Sequence, residues 1–411
     1  MTSTDVPPPR PARDTVPAPV RGWLAILAVT LGIFALMTSE LLPVGLLTPI
    51  GAALDVSEGT TALMVTVPGL VAAVAAPIVT VATARIDRRL VLALLIGTVG
   101  AANLASAFAT GFAVVLLARF LIGVSVGGFW SLAGGIALRL VPRHHVARAT
   151  AVVFGGVETA SVLGVPAGTL VGDLSGWRTA FAAVGVLGLV SLACMVVVMP
   201  RVAPERTMTF ADLPKVFRTH LALRVGIAMT FLAVTGHFTA YTFVRPILQD
   251  DGVTDGLISV LLLVFGVAGV CGNFVAGALV TTRLRQAVCG IAVLLTASMA
   301  ALAMTDHSAV SAAVVLVVWG LGYGAVPVTF QTWILNAAPA ATEAASSLYV
   351  SMFNLSIALG ALVGGLAVDA LSTVSALWIG GALAVLVLPV AGLPVARGMA
   401  GRTASGSGPA E

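Results

Sequence analysis

An all-α membrane protein, with twelve transmembrane helices arranged as two six-helix pseudo-repeats, is what this sequence predicts. Three observations carry the prediction. The composition is that of a bilayer protein: 59% of the 411 residues are hydrophobic and 9% charged, with a mean hydropathy of +1.07, where soluble domains carry roughly 25% charged residues. Apolar stretches long enough to cross a bilayer, about 20 residues each, recur twelve times along the chain. The second half of the chain also echoes the first.

The apolar stretches run near 22–50, 61–83, 90–109, 112–139, 149–172 and 180–200, then 221–247, 256–280, 287–305, 309–336, 344–370 and 375–396. The longest polar connection, "RVAPERTMTFADLPKVFRTH", separates the sixth from the seventh. The expected organisation is a disordered tail over 1–21, a first bundle over 22–200, a linker over 201–219, a second bundle over 220–397 and a disordered tail over 398–411. Both tails are Pro-, Gly- or Ser-rich and polar, and neither has the apolar core of a signal peptide.

Charge placement sets the expected orientation. With the N-terminus inside, all Arg and Lys fall on the cytoplasmic side except Arg119, Arg178 and Arg245, as the positive-inside rule requires. The opposite loops are acidic, with Asp55, Glu58, Asp250, Asp251, Asp255 and Asp306. Both termini are therefore expected in the cytoplasm. The net charge of +4 is spread over these loops and forms no nucleic-acid face.

The internal echo is specific. "GVPAGTLVGD" (Gly164 to Asp173) has its counterpart in "GALVGGLAVD" (Gly360 to Asp369), and "ARIDRR" (Ala84 to Arg89) in "TRLRQ" (Thr282 to Gln286). Two six-helix repeats about the membrane normal place a site at the midplane between them.

Candidate functional residues stand out as charges or rings inside apolar spans. Glu40 lies about 25 Å along the first span, counting from Trp23 at about 1.5 Å per residue. An ionisable group at that depth faces a cavity or a partner and marks an ion pathway, which makes Glu40 a candidate proton carrier; a structural ion pair or a snorkelling residue is the alternative. Arg119, well inside the fourth span, is its natural counterpart and heads a stripe reading Arg119, Gly123, Gly127, Ser131, Gly135. On the fifth span Gly156, Ala160, Gly164, Gly168 and Gly172 recur every four residues, with Pro166 among them, a small-residue face for close helix approach. Glu158 sits on the opposite side of that helix. If the glycine face packs on the other half, Glu158 points into its own bundle toward Arg119; functional and structural readings of it are both open. His237, Tyr241 and Arg245 on the seventh span, and Trp319, Tyr323, Pro327 and Gln331 on the tenth, form two stripes at four-residue spacing. They suit either packing or a cavity for a flat polar solute.

Other chemistry is excluded or unsupported. "GVSVG" (Gly123 to Gly127) matches G-x-S-x-G, but it lies mid-span without the strand-to-helix elbow. "GVAGVCG" follows no strand, so no dinucleotide site is expected. His144 and His145 lack a third ligand, and Cys194, Cys271 and Cys289 have no metal spacing and read as small hydrophobes. No cofactor, metal or nucleic acid is expected, nor catalysis.

These motifs carry a resemblance that covers the chain from Arg21 to Arg397. Arg119 with "GVSVGG", "GVPAG" and the following "GWRTAF" resemble the motifs of the major facilitator superfamily, within its bacterial drug:proton antiporters. "RIDRR" departs from the family's G-x-x-x-D-R-x-G-R-R loop in lacking its glycine, and Glu158 is a carboxylate where a small or polar residue is usual. "ELLPVGLLTPIGAALDVSEG", "GGFWSLAGGIALRLVP", "YTFVRPIL" and "WGLGYGAVPVTFQTWI" are similar to segments of bacterial purine ribonucleoside exporters. The resemblance implies the major facilitator fold and a monomer that exchanges a small solute for protons, with Glu40, Arg119 and Glu158 handling the proton. His237, Tyr241, Trp319, Tyr323 and Gln331 would contact a purine nucleoside such as inosine. The alternatives are a multidrug or sugar exporter, or a non-transporting membrane sensor. One Lys against twenty Arg, with heavy Ala and Gly use, suggests a GC-rich bacterium and its plasma membrane.

Overall fold

The computed structural model describes residues 19–393 except 84, 134–135, 137–139, 143–145, 203–211 and 305–308. The expected tails, apart from residues 19–21, residues 203–211 of the linker, Gly135 and His144–His145 lie outside the described residues. So does the side chain of Glu158, although its backbone is helical.

The helices are α1 (Pro19–Leu54), α2 (Glu58–Thr61), α3 (Leu63–Ala82), α4 (Arg88–Ala107), α5 (Phe112–Ala133), α6 (Val146–Thr159), α7 (Val165–Ser175), α8 (Trp177–Val198) and α9 (Asp212–Thr219). They continue with α10 (Leu221–Tyr241), α11 (Val244–Asp250), α12 (Asp255–Met304), α13 (Ala309–Gly324), α14 (Val326–Ala337), α15 (Thr342–Ala370), α16 (Thr373–Val385) and α17 (Val387–Ala391). No strand occurs among the described residues. Helices suit a bilayer because they satisfy every backbone polar group internally.

Eleven stretches among the described residues are long and apolar enough to span a membrane. The fifth expected span does not meet that measure because it is broken: α6 and α7 are joined by a π-turn at Ala160–Gly164. Pro166 explains the break. It has no N–H to donate and its ring crowds the carbonyl four residues back, and the wider π-turn absorbs that mismatch. Pro327 sits in the first turn of α14, just beyond the break at Ala325. The eighth and ninth spans run on as α12, and only Arg283 inside it leaves helical geometry (φ −134°, ψ 39°). The expected loop there is thus compressed into one residue.

The first half has buried cores around Ile26, Ile33, Leu92, Ile122 and Phe129, and around Leu46, Val115 and Phe181. The second has a core around Phe238, Leu295, Trp319 and Trp333, which also takes in Val44, Leu47 and Val65 of the first half. The halves meet where α3 packs on α15, α7 on α12, and α1 on α11. Leu94, Leu117, Val197, Phe274 and Trp378 point outward, as lipid-facing side chains do.

Glycine sets the tightest approaches. A Cβ at Gly123 would meet the Pro68 carbonyl oxygen at 2.6 Å, and one at Gly69 the Asn354 carbonyl oxygen at 2.9 Å. The glycine face of the fifth span packs on α1 of its own half: Gly156 faces Thr30 and Ile33, Gly164 faces Thr38, Gly168 faces Leu42 and Gly172 faces Leu46. The condition under which Glu158 would point toward Arg119 is therefore not met. The repeat behaves alike in the second half, where Gly360 and Gly364 close on Thr235 and Thr239 of α10.

Candidate transport site

Glu40 and Arg119 both come to lie in the interior of the first half, Glu40 7% exposed and Arg119 fully buried. Nη1 of Arg119 donates to the Ser39 carbonyl oxygen at 2.6 Å, and its guanidinium lies over the Phe181 ring, 4.9 Å from the centroid. Asn103 Nδ2 donates to Ser39 Oγ at 2.7 Å and to the Val99 carbonyl oxygen at 2.8 Å. The charge of Arg119 lies within electrostatic reach of Glu40, yet no contact ion pair joins them among the described residues. Glu40 Oε2, Thr38 Oγ1, Asn103 Oδ1, and Nε and Nη2 of Arg119 are buried without a hydrogen-bond partner there. Each such group costs about 1–3 kcal/mol. The cluster keeps hydrogen-bonding capacity that a closed structural ion pair would have used up.

In the second half the two predicted stripes close on each other. His237 stacks on Tyr323 with centroids 3.5 Å apart, and on Tyr241 at 4.9 Å. Tyr241 stacks in turn on Phe265 at 4.7 Å. Trp319 Nε1 donates to His237 Nδ1 at 3.0 Å. Because that nitrogen accepts, the neutral ring carries its proton on Nε2, and Nε2 is buried with no partner among the described residues. Trp319 and His237 are fully buried, while Tyr323 is half-buried. Gln331 is half-buried on α14, beyond the break at Ala325 that separates it from Tyr323, and no hydrogen bond joins it to the rings among the described residues.

Sequence reading missed a third polar constellation, at the acidic end of the bundle. Arg245, expected only as the outer member of a stripe, is 2% exposed. Its Nη1 donates to the Gly45 carbonyl oxygen at 2.6 Å, and its Nη2 reaches Asp173 Oδ1 and Asp255 Oδ1, each at 2.8 Å. Ser259 Oγ donates to Asp173 Oδ2 at 3.1 Å. Asp369 accepts from Ser57 Oγ at 2.7 Å and from the Gly59 N–H at 3.0 Å. Thr48 Oγ1 lies 3.0 Å from Glu58 Oε1 and 2.9 Å from Gln249 Oε1. The available signal was the repeat itself, whose two copies both end in Asp. The other off-pattern cation, Arg178, lies over the Trp177 ring and donates to the Ala109 carbonyl oxygen at 3.1 Å.

The Major Facilitator Superfamily family model matches residues 28–349. The chain belongs to that superfamily. Curated relatives include the purine ribonucleoside efflux pump NepI of Salmonella paratyphi B, 32% identical over 370 residues, which cover 89% of this chain and 92% of the relative. The pump of the same name from Salmonella typhimurium is 31% identical over the same length. Among solved structures, a bacterial homologue of the human lysosomal transporter Spinster in an inward-facing, unoccupied conformation superposes with a TM-score of 0.72. It is 16% identical, covering 94% of this chain and 98% of that one. The human organic anion transporter MFSD10 superposes with a TM-score of 0.66 at 15% identity, covering 90% of this chain and 99% of that one. The superfamily's two six-helix halves account for the internal repeat, and its members' multi-pass architecture accounts for the composition. In this superfamily member the Glu40–Arg119 cluster and the His237 cluster occupy facing halves, one on α1 and α5, the other on α10 and α13.

Proposed function

We propose that this transporter exports purine ribonucleosides such as inosine across a bacterial plasma membrane, in exchange for protons, by alternating access. In this reading the acidic end faces outward and both termini face the cytoplasm. One observation carries it. The chain sets a buried carboxylate, Glu40, in its first half and a stacked aromatic cluster around His237 and Tyr323 in its second, and it is similar over 89% of its length to purine ribonucleoside efflux pumps. Aromatic faces suit a flat base, and the free Nε2–H of His237 supplies a donor for its edge. Arg119 biases the protonation of Glu40 through its field. In this reading, exchange couples a proton on Glu40 in one half to a solute against Tyr323 in the other.

Uptake into inverted vesicles with an imposed proton gradient tests this, screened across nucleosides, sugars and drugs. Inosine uptake that follows the gradient is expected. Export of a bulky cationic drug without inosine would remove the nucleoside reading. That multidrug reading draws on one feature, an apolar groove of about 400 Å³ between the halves, lined by Leu70, Val74, Phe217, Ile227, Leu348 and Met352.

Replacing Tyr323 or Gln331 by Ala should lower inosine transport while leaving protein level and proton leak unchanged. A base–aromatic stack is worth about 1–3 kcal/mol, so Tyr323→Ala should cost about tenfold or more in apparent affinity. Gln331→Ala tests whether the site extends toward the basic end. Unchanged inosine kinetics in both variants would move the site away from the tenth span.

A further inference from the structure

The carboxylates that end the two copies of the repeat each grip the opposite half. Asp173, at the end of "GVPAGTLVGD", belongs to the first half and holds Arg245 and Ser259 of the second at 2.8 and 3.1 Å. Asp369, at the end of "GALVGGLAVD", belongs to the second half and holds Ser57 and the Gly59 N–H of the first at 2.7 and 3.0 Å. The two grips are related by the same repeat that relates the halves. Between them, Arg245 binds the Gly45 carbonyl oxygen across the interface at 2.6 Å. Thr48 lies 2.9 Å from Gln249 Oε1.

We propose that Asp173 and Asp369 form a two-point latch that holds the acidic end of the transporter shut, and that both must release for that end to open. The latch uses hydrogen bonds to charged groups, which are stronger than neutral ones, yet it is cheap to break. Asp369 is exposed and Asp173 is 13% exposed at the rim, so water replaces the lost partners. Arg245 keeps Asp255, a residue of its own half, when Asp173 lets go. Its charge is therefore never left buried and unpaired, a state that is strongly unfavourable. Placing the carboxylates on the fifth and eleventh spans, each packed by glycine on the first helix of its own half, couples the latch to rigid-body motion of whole bundles. The proposal does not depend on which solute is carried.

Thiol labelling tests it without any solute. Leu41, about two turns below Thr48 on α1 and packed against the second-half core, is a reporter that external reagent reaches only through an open acidic end. Leu41→Cys is built in a background with Cys194, Cys271 and Cys289 changed to Ala, and right-side-out vesicles are exposed to a membrane-impermeant maleimide. Ser175→Cys, exposed at the end of α7, reports which face the vesicles present; if it is unreactive, inverted vesicles replace them. Adding Asp173→Ala and Asp369→Ala together should speed labelling at Leu41→Cys about tenfold or more, the equivalent of losing one hydrogen bond to a charged group. Should that double variant fail to fold, Ser57→Ala with Ser259→Ala removes one bond from each grip and leaves every charge in place; about threefold is then expected. Labelling as slow as in the latched parent overturns the proposal, with either pair.

Discussion

Glu40→Gln should insert and fold, exchange solute across the membrane, and lose proton-driven export to the level of empty vesicles. Gln has the same shape and hydrogen-bonding span as a carboxyl group but cannot release a proton, so packing around α1 is preserved while the titrating group is removed. The surroundings favour a clean result. Glu40 is 7% exposed, and its Oε2 has no partner among the described residues, so the amide breaks no bond there. Arg119 retains its hydrogen bond to the Ser39 carbonyl and its seat over the Phe181 ring, which hold it in place when Glu40 is neutralised. The measurement is inosine accumulation in inverted vesicles with and without a proton gradient, next to solute counterflow at zero gradient. Accumulation that persists in the Gln variant removes Glu40 as the coupling group and makes Glu158 the next candidate.

Gly164→Val should abolish coupled transport by a different route. A Cβ at Gly164 would land on Thr38 Oγ1, with Thr38 Cβ at 3.1 Å and Cγ2 at 3.2 Å. Overpacking of this kind costs about 1–3 kcal/mol or more, and here the displaced segment is Thr38–Ser39–Glu40 itself. Ser39 holds both Arg119 and Asn103, so a shift of α1 dismantles the polar cluster. Gly155, on the same span, is the control: a Cβ there meets nothing within 4 Å, and Gly155→Ala should transport like the parent. Thr38→Ala combined with Gly164→Ala should recover part of the activity, since the hydroxyl and methyl that block the new Cβ are gone. Wild-type coupling in Gly164→Val would show that this contact does not hold the site.

The spans, the internal repeat and the outlying residues Glu40 and Arg119 were legible because the bilayer imposes them locally. A segment that crosses hydrocarbon must be apolar over about 20 residues, so every charge inside it is conspicuous whatever its neighbours are. The helical period likewise put His237 with Tyr241, and Trp319 with Tyr323, before any contact was known. The glycine face of the fifth span was visible too, but its partner was not. A small-residue stripe states that something comes close, and α1 rather than the other half fits the space beside it. The break at Ala160–Gly164 follows from Pro166, although its form as a π-turn depends on how α6 and α7 seat on α1.

What only the tertiary structure decided is which stripes meet and which ends are tied. Trp319 and His237 are 82 positions apart, and Arg245 and Asp173 are 72 apart; no local pattern pairs them. Gln331 shares the spacing of the tenth-span stripe, yet it lies past the break at Ala325 and apart from the rings. The acidic residues at the span ends looked like ordinary loop charges, because a carboxylate at a membrane surface is unremarkable until a buried cation from the opposite half is placed against it. Such pairings arise from the shapes of two folded bundles pressed together. Periodicity along one helix constrains the face that is presented, while the partner is chosen by complementarity between surfaces far apart in the chain.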